Sequence, residues 1–109
     1  MKTSELEKLG FTCLQNCFDD AELTGGYTSD LLSDVMANLQ EGQVLITIQA
    51  HKNTIAVASL ADAAAVVFCH GRQVTPDVIE SAAKEGIALF SSSENQFDTT
   101  CAVAKALGA

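Results

Sequence analysis

The sequence predicts an α/β protein, a single domain built on a mainly parallel, four-stranded sheet with helices on both faces. Three observations lead there. Strand-like apolar runs alternate four times with helix-like segments, joined by connections of a few residues. Two of the runs, residues 44–48 (VLITI) and 64–69 (AAVVFC), are almost continuously apolar, as strands covered on both faces are. Capping signals agree with the periodicity in four separate places.

Each element has its own justification. Ser4 with Glu7 three residues on makes a capping box, so a short helix opens the chain and ends near Gly10. Residues 1–10 thus precede an α/β core over 11–107, within one domain spanning 1–109. Residues 11–17 (FTCLQNC) read as the first strand, followed by a polar connection holding Asp19, Asp20, Glu22, Gly25 and Gly26. The glycine pair reads first as a tight turn that sets the angle of the next helix, because glycine adopts φ > 0 without steric cost. On that reading Gly26→Val costs stability. The helix over 29–41 places Leu31, Leu32, Val35, Met36 and Leu39 on one face, and Gly42 ends it. His51-Lys52-Asn53 closes the 44–48 strand, with Asn53 as N-cap of a helix to about residue 61. The 64–69 strand ends at His70-Gly71. Thr75-Pro76 opens a helix over 76–85 that Gly86 terminates. Residues 87–90 are the last strand, and Ser93 with Gln96 caps a helix over 94–107.

Composition narrows the function. A domain of 109 residues buries roughly 65% of its unfolded surface, enough for a core without staples. The net charge of −8, with only six cationic side chains, argues against nucleic-acid partners and anionic membrane surfaces. The first eight residues are charged and lack a signal core, and the longest apolar run, 63–69, is too short to span a bilayer. A cytoplasmic protein with its four cysteines as thiols is expected.

In an open α/β sheet, ligands sit outside the carboxyl ends of the strands. That rule gathers residues 19–29, 51–54, 70–75 and 91–93, and with them both histidines, Lys52 and Arg72. The candidate ligand site there is Gly25, Gly26, Ser29, His51 and Ser91, suited to a phosphorylated metabolite or nucleotide. The carboxylates Asp19, Asp20, Glu22 and Asp30 beside the glycines weaken an anion site. Asp30 and Asp34, one helical turn apart, have the oxygen ligands for a divalent ion. A solvated acidic loop, with Asp30 at a helix N-terminus, is the favoured alternative, and no metal is expected. Ser91-Ser92-Ser93 reads first as a helix cap. Cys13 and Cys17 share a strand face roughly 13 Å apart, and no pair has zinc-site spacing, so buried thiols are favoured, Cys101 among them. No phosphate loop with its lysine and no nucleophile elbow occurs. No catalytic residue and no cofactor is expected.

Gly25-Gly26-Tyr27 followed by Asp30-Leu31-Leu32-Ser33-Asp34-Val35-Met36 resembles the DRTGG domain family. The run over 61–68, then Gly71, Pro76, Ile79, the run 86–89, Ser91 and Phe97 extend the similarity over about residues 11–107. Where the family has Asp-Arg before Thr-Gly-Gly, this chain has Glu22-Leu23, so any role of that arginine is not carried over. The resemblance implies an α/β regulatory domain, found alone or beside CBS domains in nucleotide-regulated pyrophosphatases. It is also similar to the N-terminal domain of HPr kinase/phosphorylase. It implies a non-catalytic regulatory or assembly role as a homodimer, with a possible protein partner and a link to hydrogenase or redox metabolism. The alternative is a sensor at the carboxyl edge of the sheet.

Overall fold

The sheet has five strands where four are expected. In a computed structural model describing residues 1–108, β1 (Thr12–Gln15), β2 (Gly25–Thr28), β3 (Gln43–Thr47), β4 (Ala65–Phe68) and β5 (Ala88–Ser91) lie in the order β1–β5–β4–β3–β2. The expected span of 1–109 reaches one residue further, to Ala109, which lies outside the described residues.

The additional strand is the glycine pair itself. Gly26 lies opposite Val44 and Thr28 opposite Ile46 in a parallel ladder, so Gly25-Gly26 is an edge strand and not a tight turn. A Cβ at Gly26 meets Val44 Cγ1 at 3.6 Å, an ordinary contact, which removes the turn-based reason for Gly26→Val to destabilise. The β2–β3, β3–β4 and β4–β5 pairs are parallel. β1 runs antiparallel to β5, with a register shift between Cys13 and Gln15. The sheet is therefore mixed but mainly parallel.

Helices cover both faces, as the alternation requires. On one side α1 (Leu32–Asn38), α2 (Lys52–Leu60) and α3 (Pro76–Glu85) enclose Leu45, Val66, Phe68 and Leu89. On the other, α4 (Gln96–Ala106) and an N-terminal 3₁₀ helix (Thr3–Leu9) cover Val44, Ile46, Val67 and Phe90. Successive strand residues point to opposite faces, so β3, β4 and β5 feed both layers and are almost wholly buried.

Most element ends follow local chemistry. Pro76 occupies the first turn of α3, and Gly86 (φ 69°) closes it in the left-handed conformation. Elsewhere the caps differ from expectation. Lys2 N–H donates to Glu5 Oε1 (2.7 Å), while Ser4 bonds Asp20 through both its N–H (2.8 Å) and its hydroxyl (2.6 Å). Asn95, not Ser93, caps α4, accepting from Asp98 N–H (2.8 Å). α2 starts at Lys52, with His51 rather than Asn53 in the N-cap position. α1 is only 7 residues long, and of its expected apolar face Val35 and Leu39 are buried while Leu31 and Met36 are exposed.

Candidate functional site

Because β2 to β5 run the same way, their carboxyl ends at Thr28, Thr47, Phe68 and Ser91 share one end of the sheet. β1 runs the other way, so the connection over 16–24 returns along the amino ends. Asp19 and Glu22 accordingly lie not at the expected edge but around a cavity of about 660 Å³ with Glu41, Asp62 and Glu85. Asp20 is held below the usual aspartate range by the hydroxyl and N–H of Ser4.

The carboxyl end is organised by Asp30. Its Oδ1 accepts from the Thr47 hydroxyl, Ile48 N–H and Gln96 Nε2, each at 2.9 Å. Its carbonyl accepts from Gln49 Nε2 at 3.2 Å. One side chain thus ties the end of β2 to the end of β3 and the first turn of α4. It does not cap α1, which begins two residues later. Asp34 faces other partners. It accepts from the Tyr27 hydroxyl (2.7 Å) and from Asn38 Nδ2 (2.9 Å). The Tyr27 hydrogen bond pulls the Asp34 carboxyl below its ordinary range and pushes the phenol up. Asp30 and Asp34 thus hold different hydrogen-bond partners, and no cluster of three or more potential ligands exists among the described residues.

The five expected ligand residues fall in four places. Gly25 and Gly26 share a groove of about 400 Å³ between β2 and α4, walled by Thr100, Val103 and Ala104. The Thr28 and Thr100 hydroxyls bond across it at 2.8 Å. His51 lies in a separate hollow of about 460 Å³ with Gln49, Arg72 and Gln73. Ser29 is engaged locally, its hydroxyl accepting from Leu31 N–H (3.2 Å). Ser91 belongs to β5 rather than to the loop after it, opposite Thr12 and Phe68. Its neighbour Ser92 is the buried one, sharing a 2.8 Å hydrogen bond with Thr99. The α4 wall of the groove was legible only as small residues one turn apart, Thr100 and Ala104, whose distance from Gly25 in sequence hid the contact.

The histidines are less organised than the serines. His51 and His70 are both exposed, and among the described residues no hydrogen bond orients either ring. His70 (φ 65°) and Gly71 (φ 60°) adopt the left-handed conformation, which turns their N–H groups onto Glu94 and Ser92 carbonyls at 2.6 and 2.9 Å. The cysteines divide. Cys69 is buried, and burial pushes its thiol up. Cys17 and Cys101 are exposed, against the expectation of buried thiols. α4 turns Thr99 and Val103 inward, which leaves Cys101, two residues from each, on the outer side.

No curated protein matches the sequence. Among solved structures, the chain is similar to the crystal structure of the CBS and DRTGG domains of the regulatory region of Clostridium perfringens pyrophosphatase, complexed with its activator diadenosine tetraphosphate. The TM-score is 0.71 at 13% identity, covering 90% of this chain and 43% of that one. This likeness is one of fold, and the present chain spans less than half of that structure's length. The family model for the DRTGG domain matches residues 27–106, starting just after the glycine pair. With most of its length matched, the chain belongs to the DRTGG domain family.

Proposed function

We propose that this chain is a non-catalytic regulatory and assembly domain that acts as a homodimer. The observation that carries the reading is the state of the carboxyl edge in a member of a family whose structural relative is a regulatory region. Where an enzyme of this fold class places its chemistry, Asp30 is consumed by Thr47, Ile48 and Gln96. Neither histidine is held as a general base is held, with a partner fixing its ring. We place the protein in the cytoplasm, a reading that its four unpaired thiols support. The link to hydrogenase or redox metabolism rests on the family resemblance, and the genes beside its own are the check. Light scattering on the eluting protein tests the assembly: a dimer is expected at tens of micromolar, and a monomer there overturns it.

A second reading, a sensor for a phosphorylated metabolite or nucleotide, has one specific observation in its favour. On a chain of net charge −8, both histidines, Lys52 and Arg72 follow β3 and β4 on the carboxyl side, with Lys52 turned to a separate hollow beside Asp77 and Glu80. His51 and Arg72 line one hollow there. The structural relative was solved with diadenosine tetraphosphate, so dinucleoside polyphosphates, ATP and acyl phosphates are the probes. A ligand present at 100 times its Kd stabilises the fold by about 2.7 kcal/mol. A thermal shift that disappears in Arg72→Ala supports the sensor, and a flat screen removes it.

A further inference from the structure

We infer that two copies of this chain join along the free edge of β2, pairing antiparallel about a two-fold axis to make one continuous ten-stranded sheet. The inference deepens the homodimer reading and rests on it. Three observations converge on this edge.

The first is its lack of protection. β2 pairs with β3, and among the described residues its other side is covered only at the entry, where Leu23 N–H donates to the Met1 carbonyl (2.9 Å), so Gly25 to Thr28 have no strand there. Edge strands that stay unpaired carry lysine, proline, inward charge or a bulge. Residues 23–29 (LTGGYTS) contain none of these. The opposite edge does: β1 has its register broken between Cys13 and Gln15. Beside that break, the Gln15 side chain is turned to the Ile87 carbonyl and to Cys17 N–H, occupying the neighbouring backbone.

The second is where exposed apolar surface collects. Of the four large apolar side chains that stand in solvent among the described residues, three belong to the elements hydrogen-bonded to β2 and its carboxyl end: Leu31 (64% exposed), Met36 (44%) and Phe97 (74%). Leu31 and Met36 belong to α1 and its entry, held to the strand by the Tyr27–Asp34 bond. Phe97 starts α4, held to it by the Thr28–Thr100 and Asp30–Gln96 bonds. A two-fold axis normal to the sheet keeps each layer on its own side. It sets the two α4 helices next to each other on one face and the two α1 helices on the other. Apolar residues on both layers at the same edge are what such a joint needs, and a lone edge strand does not explain them.

The third is charge. Two copies carrying −8 each repel, so a stable contact has to use surface poor in carboxylates. The acidic cavity at the amino ends, with Asp19, Glu22, Glu41, Asp62 and Glu85, is excluded as a self-contact. The β2 strip carries no ionised side chain between Glu22 and Asp30.

The test is amide hydrogen exchange with two variants. In the wild type, exchange over residues 25–28 should slow as the protein is raised from dilute to tens of micromolar, in step with dimer formation. Thr28→Lys puts a charge on the edge, and Phe97→Glu puts one on the flanking helix. Each should raise the dimer dissociation constant at least tenfold while the far-ultraviolet spectrum is unchanged. Phe97, being mostly exposed, keeps the test open if Thr28→Lys does not fold. A wild-type dimer with unchanged exchange over 25–28, and both variants dimerising as tightly, overturns the edge pairing and leaves the homodimer standing. A monomeric wild type overturns both.

Discussion

The two ends of the sheet treat the same side chain in opposite ways. At the carboxyl end Asp30 receives three side-chain and backbone donors through one oxygen. At the amino end Asp19, Glu22, Glu41, Asp62 and Glu85 ring an open cavity. Of these, Glu22 meets the Met1 amino group (3.1 Å) and Glu85 the Ser59 hydroxyl (3.0 Å). The difference lies in the donors that the strands present. β3 ends by offering Ile48 N–H and the buried Thr47 hydroxyl, which need an acceptor, whereas the amino-end loops bring mainly more carboxylates. A carboxylate becomes part of the fold where unpaired donors surround it, and remains a surface charge where they do not.

The strongest test of that contrast is Asp30→Ala, which strands the Thr47 hydroxyl, Ile48 N–H and Gln96 amide together. A loss of about 3 kcal/mol in urea unfolding is expected, since each unsatisfied buried donor costs about 1–3 kcal/mol. Asp30→Asn, which keeps an acceptor oxygen, should cost clearly less. If alanine costs no more than asparagine, the network does not hold the carboxyl end together.

The turns at the two ends differ as well. Gly42, at the amino end, has φ +82°, and a Cβ there comes within 2.8 Å of Thr24 Cγ2. Gly71, after β4 at the carboxyl end, has φ +60° with nothing within 4 Å. Both Gly→Ala changes carry backbone strain, but only Gly42→Ala adds a clash. It should be the worse of the two by about 1 kcal/mol, read as the difference in unfolding midpoints. Equal costs would mean that Thr24 yields freely.

Removing one charge from the acidic ring has a smaller effect of the other sign. Glu41→Gln should stabilise by a few tenths of a kcal/mol at low salt, and the gain should vanish in about 1 M salt, where the screening length is about 3 Å. A gain that persists in salt is not electrostatic. The smallest effect is in the acid limb. Asp34 sits below its ordinary value chiefly because Tyr27 donates to it. Its contribution is therefore full above about pH 4 and fades as pH falls through the lower folded value. Tyr27→Phe should flatten the fall of melting temperature with acid in that range, and a parallel curve rejects the linkage.

What was legible in the sequence was what neighbours in sequence decide. The 76–85 helix is fixed by Pro76 at one end and Gly86 at the other, and the structure returns the same bounds. The runs around residues 45 and 66 had to be covered on both faces, and they form the central strands. β2 was hidden because its two glycines have poor strand propensity and leave only Tyr27 and Thr28 to signal a strand, and β3 and α4 confer its extended form from outside. The direction of β1 was hidden too, since nothing in residues 11–17 says which way they run along Phe90. That one reversal moved Asp19 and Glu22 to the other end of the sheet. The partners of Asp30 lie 17, 18 and 66 residues away, beyond any local pattern. α1 misled because Leu31 and Met36 keep a helical period with no layer above them to bury it.

The pairing of β1 with β5 also sets an order in time. Cys13 lies against Phe90, and β1 has β5 as its strand partner, so the first strand of the domain waits for its last. The parallel strands β2 to β5 form in sequence as their crossover helices close. β1 must stay without its strand partner until then, because a contact spanning most of the domain bears the full loop-closure entropy. Folding of this domain during synthesis therefore ends where its sequence begins.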